Sequence, residues 1–169
     1  MTRAYLGLGS NLGDRATRLA SAVQGLDQLA GVRVVRVSGV YETDPQGLSD
    51  QPWFLNQVVE VETRLEPATL LEAVKALEQR LGRRPSVRWG PRVIDVDILL
   101  YDGLRFDTPT LTIPHRELWN RLFALRPLEE LRPDLTAPDG RTIAAVTAAL
   151  AVGQHARRLG PGNAPVRPG

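Results

Sequence analysis

The sequence predicts an α+β domain in which two helices pack on one face of a mainly antiparallel sheet. Three observations predict it. The 169 residues are the size of one ordinary domain, and a hydrophobic content of 43% is enough for a core. Segments of period 2 and period 3.6 follow one another as β-α-β-β-α-β rather than as repeated β-α units. No internal repeat divides the chain.

Residues 2–8 read as the first strand, ending in the glycine-rich turn Gly7-Leu8-Gly9-Ser10-Asn11. Asp14 can cap a helix that carries Leu19, Val23, Leu26 and Ala30 on one face. Residues 32–43 are rich in β-branched side chains and read as a second strand, followed by a loop with Pro45, Gly47 and Pro52. Residues 55–63 read as a third strand. Pro67 opens a second helix with the stripe Leu70, Val74, Leu77 and Leu81, and Gly82 closes it. An arginine-rich loop over 83–91 leads to a fourth strand over 92–101, and Asp102-Gly103 turns it into a short fifth. A short helical stretch is expected over 115–125 and a final helix over 142–150. From Gly153 the glycine and proline content predicts disorder, so the expected organisation is one domain over 1–152 and a disordered tail over 153–169. The element order is the split βαβ of ferredoxin-like folds, with extra C-terminal helices.

The absence of cysteine excludes disulfides and Cys-based zinc sites. No apolar run approaches the roughly 20 residues needed to cross a bilayer. The N-terminus reads as a strand rather than a leader, so a cytoplasmic location is expected. The net charge is only +2. That balance, without an aromatic-studded basic stripe, argues against a nucleic-acid binder.

The chemistry lies in Ile94-Asp95-Val96-Asp97-Ile98-Leu99-Leu100. Alternation puts Ile94, Val96, Ile98 and Leu100 on one strand face, and Asp95 and Asp97 on the other. Two such residues lie ~6.5–7 Å apart along the backbone, so their carboxylates can converge. Two close carboxylates repel, and a divalent cation removes the conflict. Magnesium prefers one or two carboxylates plus phosphate oxygens. A bare Asp-x-Asp is more often a solvated strand face. Here it follows five arginines with no acid between Arg80 and Arg92. Acids that hold metal beside arginines that hold phosphate form the two halves of a nucleotide site. His115 and Arg121 can add donors, although a lone histidine there also reads as a helix cap. Lys75 is the only lysine and lies in a helix, which excludes a P-loop.

Together these residues resemble the 6-hydroxymethyl-7,8-dihydropterin pyrophosphokinase family of the folate pathway, from about Ala4 to Leu150. The most specific block is Arg88-Trp89-Gly90-Pro91-Arg92-Val93-Ile94-Asp95-Val96-Asp97-Ile98. Others are Gly9-Ser10-Asn11-Leu12-Gly13, Tyr41-Glu42-Thr43-Asp44-Pro45, Gln51-Pro52-Trp53-Phe54-Leu55-Asn56 and Pro114-His115. The resemblance implies that ATP donates pyrophosphate to the pterin hydroxymethyl group, releasing AMP. It implies catalytic roles for Asp95, Asp97, Arg92 and Arg83, with both aspartates holding two Mg2+ ions. It implies an ATP site of Glu78, Arg83, Arg92, Ile98, Leu111, Thr112, His115 and Arg121. Phe54 and Phe123 would sandwich the pterin, Thr43, Pro45 and Asn56 would meet its polar edge, and Trp89 would close over the site. It also implies a monomer that works beside other folate-pathway enzymes, with no nucleic-acid or membrane partner. The sequence departs from the family at Pro85, where an arginine is usual, and at Gln46 and Arg116. Two competing readings are a dinucleotide-binding module, from the weakly matching glycines 7–13, and a nuclease built on Asp95 and Asp97.

Overall fold

The structure is a computed structural model that describes residues 1–83 and 90–160. Eight strands and four α-helices follow in the order β1 (Thr2–Ser10), α1 (Arg15–Gln28), β2 (Val32–Val37), β3 (Tyr41–Thr43), β4 (Phe54–Thr63), α2 (Pro67–Arg80), β5 (Asp95–Tyr101), β6 (Phe106–Asp107), β7 (Thr112–Ile113), α3 (Leu122–Leu131), α4 (Ile143–Leu150) and β8 (Ala156–Arg158) among the described residues. A 3-10 turn, Leu118–Asn120, precedes α3. The main sheet runs β5-β1-β4-β3-β8, with β2 beside β3 on the same side of β4, and every pairing is antiparallel.

Alternation along the strands sorts two cores. Leu6, Leu8, Val59, Val61, Val96 and Ile98 point to α1 and α2, where they meet Leu19, Leu26, Leu70 and Val74. Tyr5, Val58 and Leu99 point to the opposite face and meet Leu118, Leu125 and Leu128, with Ile143 of α4 behind them. The helices start where short-range chemistry places them. The Asp14 side chain accepts from the Thr17 N–H at 3.1 Å, and Pro67 stands in the first turn of α2. Gly25 lets the two helices touch, because a Cβ there would lie 2.6 Å from Leu77 Cδ1.

Several expectations are corrected. The glycine-rich segment is no turn at Gly7, since β1 continues to Ser10. Its glycines therefore do not form the strand-to-helix loop that a dinucleotide-binding module needs. Ala30 lies beyond the end of α1 and is exposed, because Gly31 at φ +80° turns the chain into β2. The expected strand over 32–43 is two strands. Ser38 breaks it by placing its hydroxyl on the Val58 N–H at 2.9 Å, and the Gly39 N–H turns to Glu130 Oε1 at 3.0 Å. β5 begins at Asp95 rather than at residue 92. A register shift between Tyr5 and Leu6 skips Leu99, which moves Leu100 into the second core. β6 pairs with β7 rather than with β5.

The helical stretch after His115 divides into the 3-10 turn and α3, which runs on to Leu131 with Pro127 inside it. Residues 156–158 form a strand that the tail composition does not predict. β8 satisfies the outer edge of β3, and Arg158 Nε reaches Glu130 at 3.2 Å. Residues 161–169 lie outside the described residues. No described helix is long and apolar enough to cross a membrane.

Candidate active site

On the α3 side of the sheet, β1 carries Gly7 and Gly9 between its core leucines. The register sets Asp97 opposite Gly7, Asp95 opposite Gly9, and Asn56 opposite Gly9 on the other side. Asn56, Gly9 and Asp95 thus form a row across three strands. The missing side chains leave room: a Cβ on Gly9 would lie 2.8 Å from Asn56 Nδ2. Above this bare strip lies a cavity of about 300 Å3. Asp95, Asp97 and Arg92 line one end, Phe54 and Asn56 the other, and His115, Arg121 and Phe123 stand over them.

The acidic end is electrostatically strained. Burial, together with the nearby Asp95 charge, pushes the Asp97 carboxyl up to about 7. Asp95 is partly neutralised by Arg83 Nη1 at 2.9 Å. Glu78, only 2% exposed, holds this corner from beneath. Its carboxylate accepts from the Val96 N–H, between the two aspartates, at 2.6 Å and pairs with Arg83 at 2.8 Å. Burial raises its pKa, with the nearby Asp95 charge acting in the same direction. Lys75 donates to the Val96 carbonyl at 3.2 Å.

Asn11 sets the rim. Its Oδ1 accepts from the Arg92 N–H at 2.7 Å, and its Nδ2 donates to Gln51 Oε1 and the Pro52 carbonyl at 2.9 Å each. His115 Nδ1 accepts from the Glu117 N–H at 3.1 Å, so in the neutral ring Nε2 carries the proton. Burial, and then the Arg121 charge, lower its pKa, which keeps the ring neutral at pH 7. The Arg121 guanidinium stands 5.5 Å from the Phe123 ring centroid.

At the other end, the Thr43 hydroxyl donates to Asn56 Oδ1, and Asn56 Nδ2 donates to the Leu8 carbonyl at 3.4 Å. These two bonds fix which end of the amide faces which way. Each amide end keeps a further hydrogen-bonding position. Thr43 is 1% exposed and acts through Asn56. Phe54 and Phe123 are both partly exposed, and both line the cavity.

The structure therefore brings together Asp95, Asp97, Arg92, His115, Arg121, Phe54, Asn56 and Phe123. Arg83 and Glu78 stand behind Asp95 rather than on the wall. Pro45 does not line the cavity, but its neighbours Asp44 and Gln46 do. Ile98 points to the opposite core, and Thr112 Oγ1 is engaged by Asp107 at 3.1 Å. Leu111 is buried with Ile98 in that core. Trp89, Arg84 and Arg88 lie outside the described residues. Sequence reasoning missed the glycine floor, although the alternation Leu6-Gly7-Leu8-Gly9 carries its signal. It also missed Asp44, although the matching block Tyr41 to Pro45 contains it.

Comparison with known proteins gives the family. A 49% identical relative from Methylorubrum extorquens, 2-amino-4-hydroxy-6-hydroxymethyldihydropteridine pyrophosphokinase, aligns over 150 residues, 89% of this chain and 94% of its own. The protein of that name from Bacillus subtilis is 51% identical over 128 residues, 76% of this chain and 77% of its own. Among solved structures, the Plasmodium falciparum HPPK-DHPS chain crystallised with pteroate shares the fold at TM-score 0.71 and 16% identity. It covers 88% of this chain, which spans 42% of that longer one. The sequence pattern of 7,8-dihydro-6-hydroxymethylpterin-pyrophosphokinase matches residues 5–133, and with relatives this similar along most of its length the chain belongs to that family.

Proposed function

We propose that the cavity is where this pyrophosphokinase of folate biosynthesis moves the terminal pyrophosphate of ATP to the hydroxymethyl group of 6-hydroxymethyl-7,8-dihydropterin, releasing AMP, and that the reaction depends on Mg2+. The observation that carries the reading is the row Asn56–Gly9–Asp95. It sets a heterocycle-reading amide and a phosphate-handling acid two strand spacings apart, about 9–10 Å. That is the distance from the polar edge of a pterin to a group just beyond its hydroxymethyl carbon.

The donor set fits magnesium. Asp95 and Asp97 share one strand face, and no cluster of three or more His, Asp or Glu is available among the described residues. Two carboxylates with the remaining positions left to phosphate oxygens and water is the pattern magnesium accepts. The raised pKa of Asp97 points the same way, since an acid held against ionisation gains most from a cation beside it. Bound there, Mg2+ would neutralise phosphate charge and lower the pKa of the attacking alcohol. We take two ions with ATP as the working count.

The protein's own groups do the rest. Arg92, Arg121 and the Nε2–H of His115 would offer donors to phosphate oxygens as charge develops there. Arg83 would serve a phosphate by exchanging Asp95 for it. Phe54 and Phe123 offer ring faces to the flat pterin, for offset stacking. Asn56, oriented by Thr43, meets its amide-like edge, with the 44–46 loop beside it. Glu78 acts on ATP indirectly, by fixing the peptide between the aspartates. In this reading Ile98, Leu111 and Thr112 serve the nucleotide through backbone groups, since the Ile98 and Leu111 side chains are buried in the other core and the Thr112 hydroxyl is engaged by Asp107. Trp89 closes over the site, and the working unit is one chain. The strand order β5-β1-β4-β2, with α1 and α2 crossing one face, supports the ferredoxin-like assignment.

The test is product identity. With ATP, Mg2+ and the hydroxymethyl dihydropterin, phosphorus NMR should show AMP and a diphosphorylated pterin in equal amounts. ADP as the nucleotide product, or no turnover with this acceptor, would overturn the reading.

A further inference from the structure

Two adjacent side chains outside the cavity reach both of its walls. Gln154 and His155 lie between α4 and β8. Gln154 Oε1 accepts from the Leu122 N–H at 2.9 Å, and its Nε2 donates to the Asn120 carbonyl at 2.9 Å. Those partners bracket Arg121 and lead directly into Phe123. No local side chain caps α3, so Gln154 supplies the cap from 32 residues away.

His155 treats the opposite wall in the same way. Its N–H donates to Asp44 Oδ1 at 2.8 Å, and its ring Nδ1 lies 3.3 Å from Asp44 Oδ2. The Asp44 N–H donates to the His155 carbonyl at 3.3 Å. Asp44 lines the cavity and follows Thr43, which orients Asn56. The segment is itself anchored. β8 pairs with β3, and the Trp53 ring lies 5.9 Å from the His155 ring.

We propose that Gln154 and His155 are positioning residues that fix the gap between the Phe123 wall and the Asp44–Asn56 wall, and thereby set affinity for the pterin more than for ATP, to which Gln154 is linked only through Arg121. This rests on the assignment of Phe123 and Asn56 to the pterin. Neither Gln154 nor His155 lines the cavity. Stacking on a planar ring is sensitive to ring separation, and an uncapped α3 would free its first turn to shift Phe123. The acids and Arg92 are held instead by Glu78 and Asn11, which this segment does not touch.

In steady-state assays on the full chain, Gln154→Ala should raise the KM for the pterin roughly tenfold and the KM for ATP, through Arg121, by no more than about threefold, with kcat within about twofold. Gln154→Glu keeps the acceptor for the Leu122 N–H and should recover part of the loss. His155→Ala loses the ring but keeps the backbone donor, and should give a smaller rise of about threefold. A pterin KM unchanged in Gln154→Ala, or equal rises for both substrates, would overturn the proposal. Should Gln154→Ala fail to fold, His155→Ala decides, because that side chain is 68% exposed and its loss leaves the fold intact. An unchanged pterin KM there would likewise overturn the proposal. Failure of the underlying assignment is a separate result: the wild-type chain would then make no pterin diphosphate in the same assay.

Discussion

Two carboxylates on the same face of the sheet, Glu60 fully buried and Asp97 partly exposed, have opposite fates. Glu60 on β4 stands opposite Tyr5, and Asp97 on β5 stands opposite Gly7, two residues further along the same strand. Burial works to raise the pKa of both. At Glu60 it is overcome: Arg36 reaches the carboxylate at 2.6 Å, Tyr5 donates at 2.8 Å and Arg3 adds a third contact. Its pKa is lowered. At Asp97 the nearby Asp95 charge adds to burial, and the carboxyl is pushed up to about 7. One acid is satisfied by the fold; in the proposed reading the other is completed by a ligand, and their partners tell a structural acid from a functional one.

The largest effect that sharpens this contrast is on turnover. Asp97→Asn should lower kcat/KM by on the order of a thousandfold, because a carboxylate beside the transferring phosphate is lost. Urea unfolding of the same variant at pH 8 should show stability equal to or above that of the wild type. A loss of stability comparable to the loss of turnover would place Asp97 with Glu60 as a structural acid.

Next comes the reverse experiment. Glu60→Ala should cost about 2–3 kcal/mol in urea unfolding, since Tyr5 and Arg36 lose a buried partner while both arginines stay half exposed. The folded fraction should keep its kinetic constants. A change in KM without a change in stability would break the contrast from the other side.

Phe123→Ala should weaken pterin binding roughly tenfold and ATP binding far less, read by calorimetry. Equal losses would assign the ring to the second core, against which it also packs.

The remaining effect is on pH. The folded chain holds the Asp97 proton more tightly than the unfolded chain does. Stability from this group is therefore lost as pH rises from 3.8 through about 7. Asp97→Asn should remove that slope, so that its advantage over the wild type appears above pH 7 and vanishes near pH 4. Glu60 contributes in the opposite sense. Its stabilisation is present above the unfolded pKa and fades as pH falls through the lowered folded value. Parallel melting curves for the wild type and Asp97→Asn from pH 4 to 8 would contradict the assignment.

Much of this contrast was legible in the sequence, and the illegible parts share a cause. Asp95 and Asp97 sit in a strict period-2 pattern, so their common face followed from the strand alone. Asp14 and Pro67 announced α1 and α2 through interactions within a few residues. The break at Ser38 did not show, because it depends on Glu130 and on a hydroxyl turned toward β4. The extension of α3 to Leu131 does not show, because Pro127 lacks a backbone donor and ordinarily ends a helix, yet burial of Leu125, Leu128 and Leu131 carries the helix past it. β8 looked like tail composition, and only the open edge of β3 gives it a place. Glu60 is illegible in the sequence for the same reason. Its partners Arg3, Tyr5 and Arg36 come from two other strands, and nothing local distinguishes it from a surface acid. The glycines opposite the two aspartates were visible as residues but not as a floor, since their meaning lies in the register with β4 and β5.

The central claim is that the fold leaves Asp97 uncompensated so that the metal and ATP can complete it. Carbon-13 NMR titration of the Asp97 carboxyl measures this most directly, on the free chain and on the chain with Mg2+ and an unreactive ATP analogue. The free carboxyl should titrate near pH 7, and the complex should lower that value to below about 5. An Asp97 that already titrates like Glu60 in the free chain, or that does not respond to Mg2+ and the nucleotide, would contradict it.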